Sequence, residues 1–188
     1  TQNFTQPMKM WDLQHDTGVK TLLSYPGARK TVLPAGQTGL EDINDAIYNL
    51  VEHPNTGPFI GRLLIQRLVT SNPSNGYVSR VSAAFANNGQ GVRGDMLAVI
   101  KAILLDPEAR STAFLTDPEH GKLREPFLRI THLLRAFRFN PTANLPGYNL
   151  GSISSATLGQ FPLSAPSVFN FYFPDYQPPG PIGDAGLV

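Results

Sequence analysis

The chain has 188 residues, a formal net charge of +1 and no cysteine, which excludes disulfides, cysteine-ligated metals and thiol chemistry. Hydrophobic residues make up 41% and charged residues only 15%, against the usual one quarter or so charged. That composition suits a sizeable core and gives no global pull toward nucleic acid or a membrane surface. No apolar run reaches the ~18 residues of a bilayer-crossing helix, so no membrane span is expected.

The elements, taken in order, are mostly helical. His15-Asp16-Thr17-Gly18 reads as a turn. Val19–Ser24 and Ala28–Leu33 flank Tyr25-Pro26-Gly27, and Pro then Gly suits the centre of a type II turn, so a short β-hairpin is expected at about 19–33. A helix follows at about 40–52, with Leu40, Ile43, Ile47, Leu50 and Val51 on one face. Pro54 biases His53 away from helical angles, which ends that helix near Glu52. The next helix takes Thr56 or Gly57 as N-cap and Pro58 at its first position. It carries Phe59, Ile60, Leu63, Leu64, Ile65, Leu68 and Val69 as a wide apolar face, and stops near Ser71-Asn72-Pro73. Arg62 and Arg67 flank that face and are expected to snorkel to solvent.

A third helix is expected from Asn75 to Ala86, with Tyr77, Val78, Val81, Ala84 and Phe85 inward. After the loop Asn87–Gly91, a fourth runs over about 93–105 with Met96, Val99, Ile100, Ile103 and Leu104 apolar. Asp106-Pro107-Glu108 combines an N-cap, a first-turn proline and a first-turn acid, and starts a short helix. Glu125-Pro126 opens a sixth helix running through Phe139. From Asn140 the pattern changes: residues 140–188 hold eight prolines, with Phe161, Phe169, Phe171, Tyr172, Phe173 and Tyr176 crowded among them. A disordered tail would be poor in aromatics, so an ordered, extended segment draped on the core is expected. The fold class is therefore mainly α. Residues 1–139 form a compact, bundle-like helical domain with the hairpin, and 140–188 an ordered proline-rich segment packed on it.

Several of these features occur together in a fixed order. They are His15-Asp16-x-Gly18-x-Lys20, the His53-Pro54-x-Thr56 helix with Arg62 and Arg67, Gly121-Lys122-Leu123-Arg124-Glu125-Pro126, and Leu158-Gly159-Gln160 with Pro166-Ser167-Val168-Phe169. The ordered set resembles the C-terminal half of the bacterial domain-of-unknown-function family numbered 1800. The resemblance implies a longer, exported protein of which this chain is a fragment without the N-terminal helical half. It implies a periplasmic, cell-surface or extracellular location, and a sulfatase-like secreted protein as a partner.

Residues that could carry chemistry are few. His15 and Asp16 offer an imidazole and a carboxylate, and His53 a second imidazole at a helix break. No His-x-x-x-His or Glu-x-x-His spacing supports a metal site, and the plainer expectation is that Asp16 caps its turn and each histidine bonds locally. Neither a metal nor a cofactor is expected. Lys122, Arg124, Arg129, Arg135 and Arg138 form the densest basic segment, locally opposed by Glu125. They read as an anion site for phosphate, sulfate or acidic polysaccharide, or as a solvated helix face. Arg62 and Arg124, at the edge of an apolar face and near a helix cap, are expected to destabilise the fold when truncated. No Gly-x-Ser-x-Gly elbow frames Ser152, Ser154, Ser155, Ser164 or Ser167. Gly89–Gly94 lacks phosphate-loop spacing. The candidate polar site is thus His15, Asp16, Lys20, His53, Arg62, Arg67, Arg124 and Glu125.

Two functions follow. The first is a non-catalytic structural or assembly module at the cell surface or outside the cell, using protein partners or self-assembly. The second is a secreted hydrolase-like enzyme, or its accessory subunit, acting on anionic or polysaccharide substrates. The absence of any catalytic motif leans against an enzyme, and nucleic acid is not an expected partner.

Overall fold

The structure is a computed structural model that describes residues 5–122, 124–138, 158–160, 164–168, 171–172, 176–177 and 179–186. The chain is mainly α, with a short antiparallel hairpin near its N-terminus. It divides into two compact units, Thr1–Leu64 with Asn75–Ile103 and Ile65–Ser74 with Leu104–Val188.

In the first unit the hairpin pairs β1 (Lys20–Thr21) with β2 (Val32–Leu33), Lys20 lying opposite Leu33. Its tip is the turn that Pro26-Gly27 requires. Ala28 N–H donates to Tyr25 O at 3.0 Å and Gly27 sits at φ +88°, which a side chain would disfavour. Helix α1 (Gly39–Glu52) begins with a capping box: Thr38 Oγ1 accepts from Glu41 N, and Glu41 Oε2 accepts from Thr38 N. The two side chains satisfy reciprocal orphan donors, a Thr-x-x-Glu signal written in the sequence. The helix ends at Glu52, and His53 is extended as Pro54 demands.

Helix α2 (Thr56–Leu68) starts earlier than Pro58 alone would suggest. Asn55 O accepts from Phe59 N, and the Thr56 hydroxyl donates to Leu50 O instead of capping its own helix. α3 (Asn75–Ala86) falls where its periodicity places it, with Tyr77, Val78, Val81 and Phe85 buried. α4 is Met96–Leu104, shorter at its start than expected. Asp95 is the reason: its Oδ1 accepts from Leu97 N and Ala98 N, so residues 93–94 lie before the cap. Gly57 and Gly61, one turn apart, let α3 approach α2. A Cβ at Gly61 would stand 3.1 Å from Val81 Cγ1, and one at Gly57 3.0 Å from Ser82 Oγ. The core of this unit is Leu33, Tyr77, Val78, Val81, Phe85, Val99 and Ile103, and the buried Tyr77 hydroxyl donates to Ile103 O.

The second unit contains α5 (Pro107–Arg110), a 3-10 turn at Thr112–Thr116, α6 (Pro126–Ala136) and α7 (Pro181–Asp184). Asp106 caps α5 through Glu108 N, as the sequence suggests. The loop after α2 organises the unit. Ser71 N donates to Gly121 O at 2.8 Å, Thr70 Oγ1 accepts from Gly121 N, and the Asn72 amide donates to Gly186 O. Thr70 and Ser71 are fully buried polar residues satisfied in this way. α6 stops at Ala136, and Arg138 turns the chain at φ +48°. The helix expected to run through Phe139 is thus ended short of that residue by the turn at Phe137 and Arg138; Phe139, residues 140–157, Phe161, Phe169 and Phe173 lie outside the described residues. Tyr172 and Tyr176 are described, with ring centroids 4.6 Å apart.

Candidate functional site

Two of the sequence-derived candidates meet at a residue the sequence reading passed over. His15 Nε2 lies 2.8 Å from Asp42 Oδ2, and Lys20 Nζ lies 2.9 Å from the same oxygen. Asp42 is on α1 and buried, so a turn residue and a strand residue converge on one carboxylate. Lys20 also donates to the carbonyls of Asp16 and Gly18. The Lys20 hydrogen bond, with help from His15, holds the Asp42 carboxyl below its usual range against the opposing effect of burial. Asp42 Oδ1 has no hydrogen-bond partner among the described residues.

The remaining candidates lie elsewhere. Asp16 caps its own turn, Oδ1 accepting from Gly18 N at 2.8 Å. His53 sits at the C-terminus of α1, its ring edge-on to Tyr25 at 4.7 Å between centroids and its Nδ1 accepting from Asn55 N. Arg93, unremarked in the sequence, donates from Nε to Val51 O and from Nη2 to His53 O. It thereby satisfies carbonyls left over at the helix end. Arg62 and Arg67 point to solvent, and so does Arg124. No set of three or more His, Cys, Asp or Glu side chains among the described residues is arranged to hold a metal ion. A depression of about 510 Å³ along α6 is lined by Arg129, Ile130, His132, Leu133 and Ala136, and by none of His15, Asp16 or His53.

In the second unit the pairing of Ser71 with Gly121 carries Lys122 toward the end of α2. Burial lowers the Lys122 ammonium below its usual range, Arg67 and Arg124 push it the same way, and Glu125 opposes them. Lys122 thus has two arginines and one carboxylate within electrostatic reach, a locally positive grouping. Glu125 itself is engaged: Gln160 Nε2 donates to Glu125 Oε2 at 2.8 Å, and Gln160 Oε1 accepts from Phe127 N at 3.0 Å. The buried Gln160 thus caps α6 from a distant segment. In the sequence the residue is marked by the short Leu158-Gly159-Gln160 motif.

The largest geometric surprise is the orientation of α1. Its buried residues are Gly39, Asp42 and Asn49. Its apolar residues Leu40, Ile43, Ile47 and Leu50 are 59, 41, 54 and 56% exposed. The buried side is polar, and its carboxylates and amide are engaged by the hairpin and the turns beside it. Asp45 Oδ2 receives Lys30 Nζ and Gln37 Nε2, which hold that carboxyl below its usual range, Lys30 most strongly. The Asn49 amide donates to Leu23 O and Lys30 O, and Tyr25 OH donates to Asn49 O. The hairpin and the N-terminal turn therefore dock on a polar stripe, and the apolar stripe is left over.

The profile of the family described as "Protein of unknown function (DUF1800)" matches residues 2–183, and the chain belongs to that family. Neither the curated proteins nor the solved structures yield a significant match to it. Among the described residues no helix is long and apolar enough to cross a membrane.

Proposed function

We propose that this chain is a non-catalytic structural or assembly module of an exported bacterial protein, working at the cell surface or outside the cell through protein–protein contacts. One observation carries the reading. The apolar stripe of α1 faces solvent, while the side chains best suited to chemistry are engaged within the unit. Contiguous exposed apolar residues on a helix mark an interaction site more often than a random surface. The export, and a sulfatase-like secreted partner, rest on the family resemblance alone; the lack of cysteine accords with an oxidising exterior.

The reading separates a docking face from a core face by stability. Ile43→Ser combined with Ile47→Ser, melted at high dilution, should leave the melting temperature within about four degrees of the parent, because two exposed substitutions together change stability by about 1 kcal/mol or less. A fall of about ten degrees would mean that the stripe is core, and the docking reading would be lost. The alternative, an accessory subunit of a secreted hydrolase that holds anionic substrates, draws on the grouping of Arg67, Lys122 and Arg124.

A further inference from the structure

We infer that Arg67, Lys122 and Arg124 form a binding site for a tetrahedral oxyanion, a phosphate or sulfate group. The site lies within the second unit and makes no use of the outward face of α1; it rests on the grouping behind the accessory-subunit reading and gives that reading a ligand. Its frame is a clasp of hydrogen bonds between the end of α2 and the segment before α6. Gln66 Nε2 donates to Ser71 O at 3.1 Å, Ser71 N donates to Gly121 O at 2.8 Å, and Gly121 N donates to Thr70 Oγ1 at 3.0 Å. Thr70 and Ser71 are buried in that clasp. It fixes the backbone beside the residues that follow Gln66 and Gly121, which are Arg67 and Lys122. Arg124 stands immediately before Glu125, the N-cap of α6.

These cations are left unsatisfied in a way folded chains normally avoid. Lys122 is half-buried, and none of the three makes an ion pair among the described residues. Glu125, the carboxylate within reach, is held instead by the Gln160 amide at 2.8 Å. Burial and both arginines disfavour the Lys122 charge, and Glu125 offsets them only in part. Like charges gathered without a counter-charge are a local conflict of the kind found at functional sites. An anion docked among them relieves it. Two guanidinium forks and an ammonium offer more donors than the two oxygens of a carboxylate accept, and they suit a group with three or four oxygens around one atom. The N-terminal end of the 11-residue α6 adds its partial positive charge. With a net charge of only +1, the chain offers no extended basic track of the kind nucleic acid requires.

Amide chemical-shift titration of the whole chain with inorganic phosphate, and separately with sulfate, reads the site directly when ionic strength is held constant with sodium chloride. Shifts should saturate at millimolar anion and centre on residues 66–71 and 121–128. Lys122→Gln should weaken binding by about tenfold, the loss of one charge-assisted hydrogen bond. Glu125→Gln removes the opposing charge yet keeps an acceptor for Gln160, and should strengthen binding by about threefold. A gain of that kind cannot come from unfolding, so it decides the matter even if Lys122→Gln melts early. Lys101→Gln, in the first unit, should change nothing. Three results would overturn the assignment. They are no saturable shift beyond that of chloride, full affinity in a Lys122→Gln variant, and unchanged or weaker binding in a Glu125→Gln variant that melts like the parent. Saturable binding of a uronate polymer with neither oxyanion bound would also overturn it, while leaving the accessory-subunit reading in place.

Discussion

Helices α1 and α3 belong to the same unit, have similar lengths and are both amphipathic, yet they are buried by opposite faces. α3 turns Tyr77, Val78, Val81 and Phe85 into the core. α1 turns Asp42 and Asn49 inward and leaves Leu40, Ile43, Ile47 and Leu50 outside. The difference lies in what each helix packs against. α3 meets the glycines of α2, whose missing side chains allow backbone approach and apolar contact. α1 meets a hairpin and a turn that present backbone carbonyls and lysines, which its carboxylates and amide satisfy. Amphipathicity guarantees that the two sides of a helix will differ in surroundings; it does not decide which side the rest of the chain will cover.

That contrast can be broken in order of expected effect. Phe85→Ala should cost about 3–5 kcal/mol in chemical denaturation, the usual cost of emptying an aromatic core site. A cost below about 1 kcal/mol would deny α3 its role as the hydrophobic anchor. Asn49→Ala should come next, at about 1–3 kcal/mol, because it strands the Leu23 and Lys30 carbonyls without a donor. A neutral result would show that the polar side of α1 does not hold the hairpin.

The third test uses acid. The Asp42 and Asp45 carboxyls are lowered in the folded chain, so the stability they contribute is present above the unfolded carboxyl value near 3.8 and is lost as pH falls through the lower folded values. Asp42→Asn should therefore flatten the acid limb of a denaturation-midpoint curve taken from about pH 6 to pH 2. Superimposable limbs for the two proteins would remove Lys20 and His15 as the partners that matter.

Legibility followed the range of the interaction. Pro26-Gly27, Pro54, Asp106-Pro107 and Glu125-Pro126 act on their own backbone, and each marks its turn or helix end where expected. The capping box of Thr38 and Glu41 and the Asp95 cap were equally local, and would have corrected the starts of α1 and α4. Arg93 and Gln160 were not legible, because they satisfy helix termini about 40 and 33 residues away in sequence. His15 and Lys20 drew attention as residue types, but their common partner Asp42 is 27 residues from His15 and looked like one acid among several on a helix.

The sequence by itself determined the helical class, the hairpin, most element limits and the family, since these depend on periodicity, proline, glycine and the order of short motifs. Only the tertiary structure decided which side of α1 is covered. Leu40, Ile43, Ile47 and Leu50 have the same spacing whether they line a core or face water. The choice between those outcomes rests with the carbonyls and lysines that the hairpin delivers to the other side.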